Sequence, residues 1–316
     1  MTRRLFLTTV LAALAVTPGR ALAQDRYAEL ANAGIAAMRR GDYAGAEQQF
    51  LEALGEAERS GRDDNRVAAC LNNLATVYRR QVRYLEAERM LLRALTIRER
   101  LNGPEHPDVA IVLNNLGTVQ LRLKRYPSAE ASYRRALAIR EKTYGKEHAR
   151  VATVVDNLGV LAVEQGLLKE AEALYRRALA IREKVLKPEH TDIGTSWVNL
   201  AELALRRERY EEAETLYKRG VAVKEKAGGR GHQDLIEPLT GLGEVYRATG
   251  RRAEAAAAYD RALSIAGKQR PEVPSDFARR FENYARLLRD MGRAADAAQV
   301  ETRAAAFLGP PRRAPR

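Results

Sequence analysis

Four histidines, one cysteine and a row of asparagines are the residues whose chemistry and spacing call for explanation. The histidines are His106, His148, His190 and His232, each 42 residues from the next. A metal ion needs its ligands converging on one point at about 2.1 Å. Histidines one repeat apart do not converge, and no His-x-x-His spacing or second cysteine completes a site. Metal binding is therefore not expected. Each histidine is read instead as closing a loop, bonding a free backbone group at a helix end. Cys70 lies among Val67, Ala68, Leu71 and Leu74. A thiol nucleophile needs a histidine within hydrogen-bond reach, and the nearest in sequence is His106 in a later loop. Cys70 is read as a small buried filler. A single cysteine also rules out an internal disulfide or a thiolate metal cluster.

The asparagines Asn73, Asn115, Asn157 and Asn199 stand 42 apart, with Asn32 and Asn283 in register and Gly241 breaking the row. Asn72 and Asn114 precede two of them, and Asp156 a third. A carboxamide both donates and accepts, so it can satisfy the backbone of an extended peptide. It can equally bond a neighbouring helix and hold the array together. Exposure decides between these readings, and both stay open on the sequence. There is no P-loop, dinucleotide fingerprint, H-E-x-x-H or G-x-S-x-G motif, and Glu211-Glu212 suits a helix start. No enzyme and no cofactor is expected.

These residues are positioned by a repeat. YRRALAIREK occurs at Tyr133–Lys142 and again 42 positions later at Tyr175–Lys184. Leu74, Leu116, Leu158, Leu200 and Leu242 share the period, as do Ala87, Ala129, Ala171, Ala213, Ala255 and Ala297; Ala46 precedes Ala87 by 41. Seven related units run from about Arg26 to Leu308. Each divides into two amphipathic helices. From Val109 to Leu123, Val112, Leu113, Leu116, Val119 and Leu123 fall at helical spacing. Arg125-Tyr126-Pro127 makes a turn, Pro127 fits the first turn of the next helix, and that helix is predicted over Ser128–Lys142. Gly117 and Ala129, then Gly159 and Ala171, supply small residues where two helices must approach. One pair cannot bury its apolar face alone, so stacked neighbours must complete the core.

Leu116-Gly117, Ala129, Tyr133 and Ala136 match the packing positions of the tetratricopeptide repeat family. Leu158-Gly159, Ala171, Tyr175 and Ala178 match again, as do Leu242-Gly243, Tyr246, Ala255, Tyr259 and Ala262, and Trp197 stands where the family often has Trp. The chain thus resembles that family over nearly its whole length. The period departs from the usual ~34 residues. The extra residues are placed between the second helix and the next unit, as in Gly103-Pro104-Glu105-His106-Pro107 and Gly145-Lys146-Glu147-His148. Such lengthened repeats are similar to those of kinesin light chain and related bacterial proteins. The resemblance implies an all-α, right-handed superhelical solenoid of about seven helix pairs whose first helices line a concave groove. It places Asn72, Asn73, Asn114, Asn115, Asn157 and Asn199 at that groove, with Arg79, Arg80 and Arg122 beside them. Glu202, Glu237 and Glu244 would make the later part of the groove acidic. In the last unit Glu301 stands where Tyr133 and Tyr259 stand, as suits a cap facing water.

Hydrophobic residues make up 46% of the 316 residues and charged residues 30%, enough for a core beneath mixed-charge helix faces. The formal net charge is +13, and removing six terminal arginines (Arg3, Arg4, Arg20, Arg312, Arg313, Arg316) leaves +7. No basic cluster is interleaved with aromatics, so nucleic acid is not expected. Residues 1–23 read as an export signal: Arg3 and Arg4, an apolar run from Leu5 to Val16, then Ala21-Leu22-Ala23 before a cleavage site. Thr2-Arg3-Arg4-Leu5-Phe6-Leu7 resembles the twin-arginine export motif, and an ordinary secretory leader is the alternative. Residues 24–308 form the solenoid, and 309–316 a disordered basic tail. No later segment approaches a membrane span. The expected function is a periplasmic or secreted scaffold that binds a protein or extended peptide. Alternatives are an envelope-associated protein touching anionic lipid or polymer through its basic surface, and an accessory subunit of an enzyme or secretion complex.

Overall fold

The computed structural model describes residues 18–59, 61, 64–269 and 275–308. The twin-arginine motif and apolar run of the expected leader, and the expected tail at 309–316, lie outside them. The described residues form fourteen α-helices and no strand. In order they are α1 (Pro18–Arg39), α2 (Tyr43–Glu58), α3 (Asn65–Arg80), α4 (Tyr84–Asn102), α5 (Pro107–Arg122), α6 (Tyr126–Tyr144) and α7 (Ala149–Glu164). Then follow α8 (Leu168–Val185), α9 (Thr191–Arg206), α10 (Tyr210–Gly228), a 3-10 turn (Gln233–Leu235), α11 (Ile236–Ala248), α12 (Arg252–Gln269), α13 (Ser275–Asp290) and α14 (Ala294–Leu308). The fold is all-α, with helix pairs repeating along the chain. The chain divides into two compact units, residues 1–97 and 98–316.

In the first unit, α1 packs on α2 and α2 on α3. A Cβ on Gly34 of α1 would lie 2.7 Å from the Phe50 ring of α2, so only glycine admits that ring. In the second unit the same device recurs: a Cβ on Gly117, Gly159 or Gly243 would come within 2.5–2.7 Å of the ring of Tyr133, Tyr175 or Tyr259. Each of these four pairs is thus locked by an aromatic ring on the second helix set into a bare stretch of the first. The periodic alanines Ala129, Ala171, Ala213, Ala255 and Ala297 are wholly buried where the two helices of a pair touch. Successive pairs close the core through α6 on α7, α8 on α9, α10 on α11 and α12 on α13.

The expected second helix of repeat three, Ser128–Lys142, is longer by two residues at each end and forms α6. The long period is therefore accommodated partly inside the second helices and only partly in the loops. Pro127 sits in the first turn of α6, where its missing N–H leaves no helical bond unmade. Between first and second helices the chain turns through one left-handed residue per repeat. These are Gly41 and Val82 in the first unit, and Lys124, Gly166, Glu208, Gly250 and Gly292 in the second. At Lys124 the paired carbonyl bonds of a Schellman turn form: Lys124 N–H to Leu121 O at 2.9 Å and Arg125 N–H to Gln120 O at 2.9 Å.

Candidate functional site

The histidines act as helix caps. The Nδ1 of His106, His148, His190 and His232 accepts the backbone N–H two residues on, at 3.2, 3.1, 3.2 and 3.3 Å respectively. Each ring thereby satisfies one of the N–H groups orphaned at a helix start. Asp108, Asp192 and Asp234 stand 3.7–3.9 Å from three of these rings. At the fourth, His148 stacks on Tyr144 with ring centroids 4.8 Å apart. Among the described residues no group of three or more His, Cys, Asp or Glu is placed to hold a metal ion. Cys70 is buried, and burial pushes its thiol up to about 11, far from a reactive thiolate.

The asparagine row lies half-buried on the first helices. Asn72, Asn73 and the half-buried Arg79 are on α3 in the first unit, with Arg80 exposed near its end. In the second unit Asn114 and Asn115 are on α5 with exposed Arg122, Asn157 is on α7 and Asn199 on α9. Asn157 Nδ2 donates to Asn114 Oδ1 at 2.8 Å, tying α7 to α5. One repeat further on, Asn199 takes the same relation to Asp156 and favours its charge. Asn283 Nδ2 on α13 donates to Glu244 Oε1 on α11 at 2.8 Å. Part of the row is therefore spent on neighbouring helices.

Asp156 is itself buried against Arg182 of α8, which also donates to Ser196 Oγ of α9 at 2.6 Å. Burial raises the carboxyl of Asp156 even beside that guanidinium. Arg182 belongs to a row that sequence reasoning overlooked, Arg98, Arg140, Arg182 and Lys224, again 42 apart on the second helices. Arg98 and Arg140 reach the following repeat, Arg98 to Asp108 at 3.2 Å and Arg140 to Arg150 O at 2.6 Å, whereas Lys224 turns back to Thr195 Oγ1 on the first helix of its own pair at 3.0 Å. The 42-residue spacing was enough to find it.

Farther along, the first helices α9, α11 and α13 bring Glu202, Glu237, Glu244, Arg280 and Asn283 together. The expectation of an acidic groove here is corrected. Arg280 Nη2 bonds Glu202 Oε2 at 2.5 Å, Tyr217 donates to the same oxygen at 2.7 Å, and Arg206 lies 3.8 Å from the other. Burial disfavours the charge of Glu202, but Arg280 and the tyrosine outweigh it and hold the carboxyl below the usual range. Glu244 accepts from Tyr259 at 2.6 Å, from Asn283, and from Arg247 at 2.9 Å. Glu237 alone makes no side-chain hydrogen bond or ion pair among the described residues, and burial pushes its carboxyl up. Alongside, Arg247, Gly250, Arg252, Asn283, Arg286, Leu287 and Asp290 line a cleft of about 330 Å³. The charge of this end is balanced by arginines that a reading of the glutamates alone leaves out.

Gly241 breaks the asparagine row for a steric reason. A Cβ there would lie 2.3 Å from Tyr217 Cζ. The ring of the preceding repeat occupies the space an asparagine would need, and its hydroxyl thereby reaches Glu202.

Much of the positive surface charge is used between repeats. On the second helices Arg135 pairs with Glu99 at 2.5 Å, Arg177 with Glu141, and Arg261 with Glu225. Arg219, next in that series, lies over the Trp197 ring at 5.0 Å. Such exposed pairs are individually weak, but each sets a cation beside a carboxylate of the previous repeat. Glu301 is exposed and pairs with Arg289 at 2.6 Å, in keeping with a terminal repeat that faces water.

Helix pairs of this length, locked by ring-into-glycine contacts and repeated at one period, define a helix-pair repeat protein. The tetratricopeptide repeat profile matches residues 26–100, 68–142, 121–184 and 192–268, more than half of the chain, and the chain belongs to that family. Among solved structures, BtubC (BKLC) from P. vanneervenii is similar, with 27% identity and a TM-score of 0.56 over 66% of this chain and 87% of that one. A putative kinesin light chain from Podosopora anserina with nearly identical TPR-like repeats is 25% identical, with a TM-score of 0.51 over 64% of this chain and 96% of that one. A Rap protein complexed with Competence and Sporulation Factor shares the fold at 15% identity, with a TM-score of 0.68 over 93% of this chain and 80% of that one. None of the curated proteins compared with the chain matches it. No helix among the described residues is long and apolar enough to cross a membrane.

Proposed function

We propose that this chain is an exported scaffold that binds an extended peptide or a protein surface along the face made by the first helices of its second unit. The observation that carries the reading is the row of half-buried carboxamides on that face, with the exposed Arg122 beside it, set over an apolar core that the second helices complete. Asn114 and Asn157 share one bond, and a carboxamide has four bonding positions, so both retain capacity toward a peptide backbone. Family membership agrees with a binding role, and the Rap protein named above was solved with a bound factor on the same fold. Export rests on residues 1–23, with α1 then beginning at Gln24 after cleavage.

The test is affinity capture from the compartment to which the protein is exported. The native chain is compared with a variant carrying Asn115→Ala, Asn157→Ala and Arg122→Glu, shown by circular dichroism and melting temperature to be folded. The reading expects a partner held by the native chain and lost from the variant. Equal capture by both removes this face as the binding surface. Mass measurement of the exported protein tests the leader, with Gln24 expected as the first residue.

A further inference from the structure

Repeat solenoids are held almost wholly by contacts between neighbouring repeats. Arg280 departs from that rule. It leaves α13 in repeat seven, passes α11 in repeat six and bonds Glu202 on α9 in repeat five, 78 residues away in sequence. On the way its Nη1 lies 3.4 Å from Glu237 O and 3.3 Å from Thr240 Oγ1 on α11. Gly241 bears on this indirectly, since a Cβ there would press on Tyr217, whose hydroxyl bonds the same oxygen of Glu202. The side chain of Arg280 is only 16% exposed, yet it lies on the first-helix face and not in the apolar core. The helix that carries it is anchored independently, with Phe281, Tyr284, Leu287 and Leu288 buried in the core of repeats five to seven. The seating of α13 in the core therefore does not rest on Arg280 alone.

The seat suits a guanidinium. Glu202 offers an acidic oxygen already oriented by Tyr217, Thr240 a hydroxyl and Glu237 a carbonyl. The Glu237 carboxyl adds a second acceptor: burial disfavours its charge, and the nearby Arg280 and Lys224 cations favour it. Planar, forked donors match such divided acceptors better than a compact ammonium does. We propose that this cage is a subsite for an arginine side chain of the bound partner, closed in the free chain by Arg280 as an internal occupant. The proposal rests on the first-helix face being the binding surface. A partner's arginine takes Glu202 and Glu237, and Arg280 swings out.

The test uses the full chain and two blocked tripeptides, one with a central arginine and one with citrulline, the uncharged isostere. Binding is measured by calorimetry to the native chain, Arg280→Ala and Arg280→Ala/Glu202→Gln. Removing the internal occupant is expected to tighten binding of the arginine peptide at least ten-fold over the native chain. The citrulline peptide gains nothing, and the added Glu202→Gln abolishes the gain. If folded Arg280→Ala binds the arginine peptide no better than the native chain, or binds both peptides alike, the proposal is overturned. Should Arg280→Ala lose its helical signal, Arg280→Gln takes its place in the same comparison. The capture variant leaves this cage intact, so the fate of one experiment does not decide the other.

Discussion

Repeats three to five and repeats five to seven are built on the same period, yet they spend their first-helix faces differently. In the earlier stretch each repeat bonds the next through a side chain at the asparagine position: Asn157 to Asn114, then Asn199 toward Asp156. In the later stretch the asparagine is missing at Gly241, a tyrosine ring fills its place, and an arginine ties repeat seven to repeat five. The first arrangement is local and can be repeated without end. The second keeps a local bond from Asn283 to Glu244 and adds a link that constrains three repeats at once. The difference teaches that a solenoid can acquire a specific site by breaking its own repeat at one position, because a missing side chain admits a tyrosine ring whose hydroxyl orients an acidic partner.

The largest expected effect lies in the earlier stretch. Asp156→Ala should destabilise the chain by about 3–5 kcal/mol, because Arg182 would be left charged and buried without its partner. Urea unfolding of the second unit's transition measures it. Replacing both residues, Asp156→Leu with Arg182→Met, should recover most of the loss, since an apolar pair of similar volume avoids burying either charge. A double variant as unstable as the single one would show that the pair contributes shape that leucine and methionine do not reproduce.

Gly241→Asn asks whether the later stretch can be made like the earlier one. Its Cβ would press on Tyr217, so the expected cost is roughly 1–3 kcal/mol of overpacking. The substitution should also break the bond between Arg280 and Glu202. That bond holds the Glu202 carboxyl below the usual range, so its stabilisation is complete above that range and is lost as pH falls through the depressed value. The native chain should therefore lose stability on acidification more steeply than Gly241→Asn. Parallel pH profiles for the two would mean that Arg280 and Glu202 still meet when Tyr217 is displaced. Asn157→Ala is the matching change in the earlier stretch. It should cost about 0.5–1.5 kcal/mol, and adding Asn114→Ala should cost little more, because both changes remove the same bond.

What was legible in the sequence follows from this contrast. The alanines, leucines and tyrosines recur because every repeat solves the same packing problem, so period alone located the helix pairs and the glycines that admit the rings. The capping histidines recur for the same reason. The asparagine row was visible as a row, but its partners were not, because a bond between Asn157 and Asn114 depends on how far one first helix leans on the next. Glu202, Glu237 and Glu244 could be read as an acidic face only while Arg280 was left out. Arg280 has no counterpart at its register in other repeats, where Pro238 and Ser196 stand, so no periodic signal pointed to it.

The smallest effect concerns the turns, where repeats three and six differ in the residue that takes the left-handed conformation. Repeat three turns through Lys124 at φ 58°, and repeat six through Gly250 at φ 76°. A side chain in the left-handed region costs about 1–2 kcal/mol, from the approach of Cβ to the following carbonyl. Glycine removes that strain but loses more freedom on folding, about 0.5–1 kcal/mol. Lys124→Gly should therefore stabilise the chain by a few tenths to about 1 kcal/mol, and Gly250→Lys should cost about the same. Thermal unfolding of the two variants checks both signs together. A loss of stability in Lys124→Gly would mean that the lysine stem contributes contacts worth more than the strain it imposes. The turn of repeat three would then be held by its side chain, and that of repeat six by its backbone.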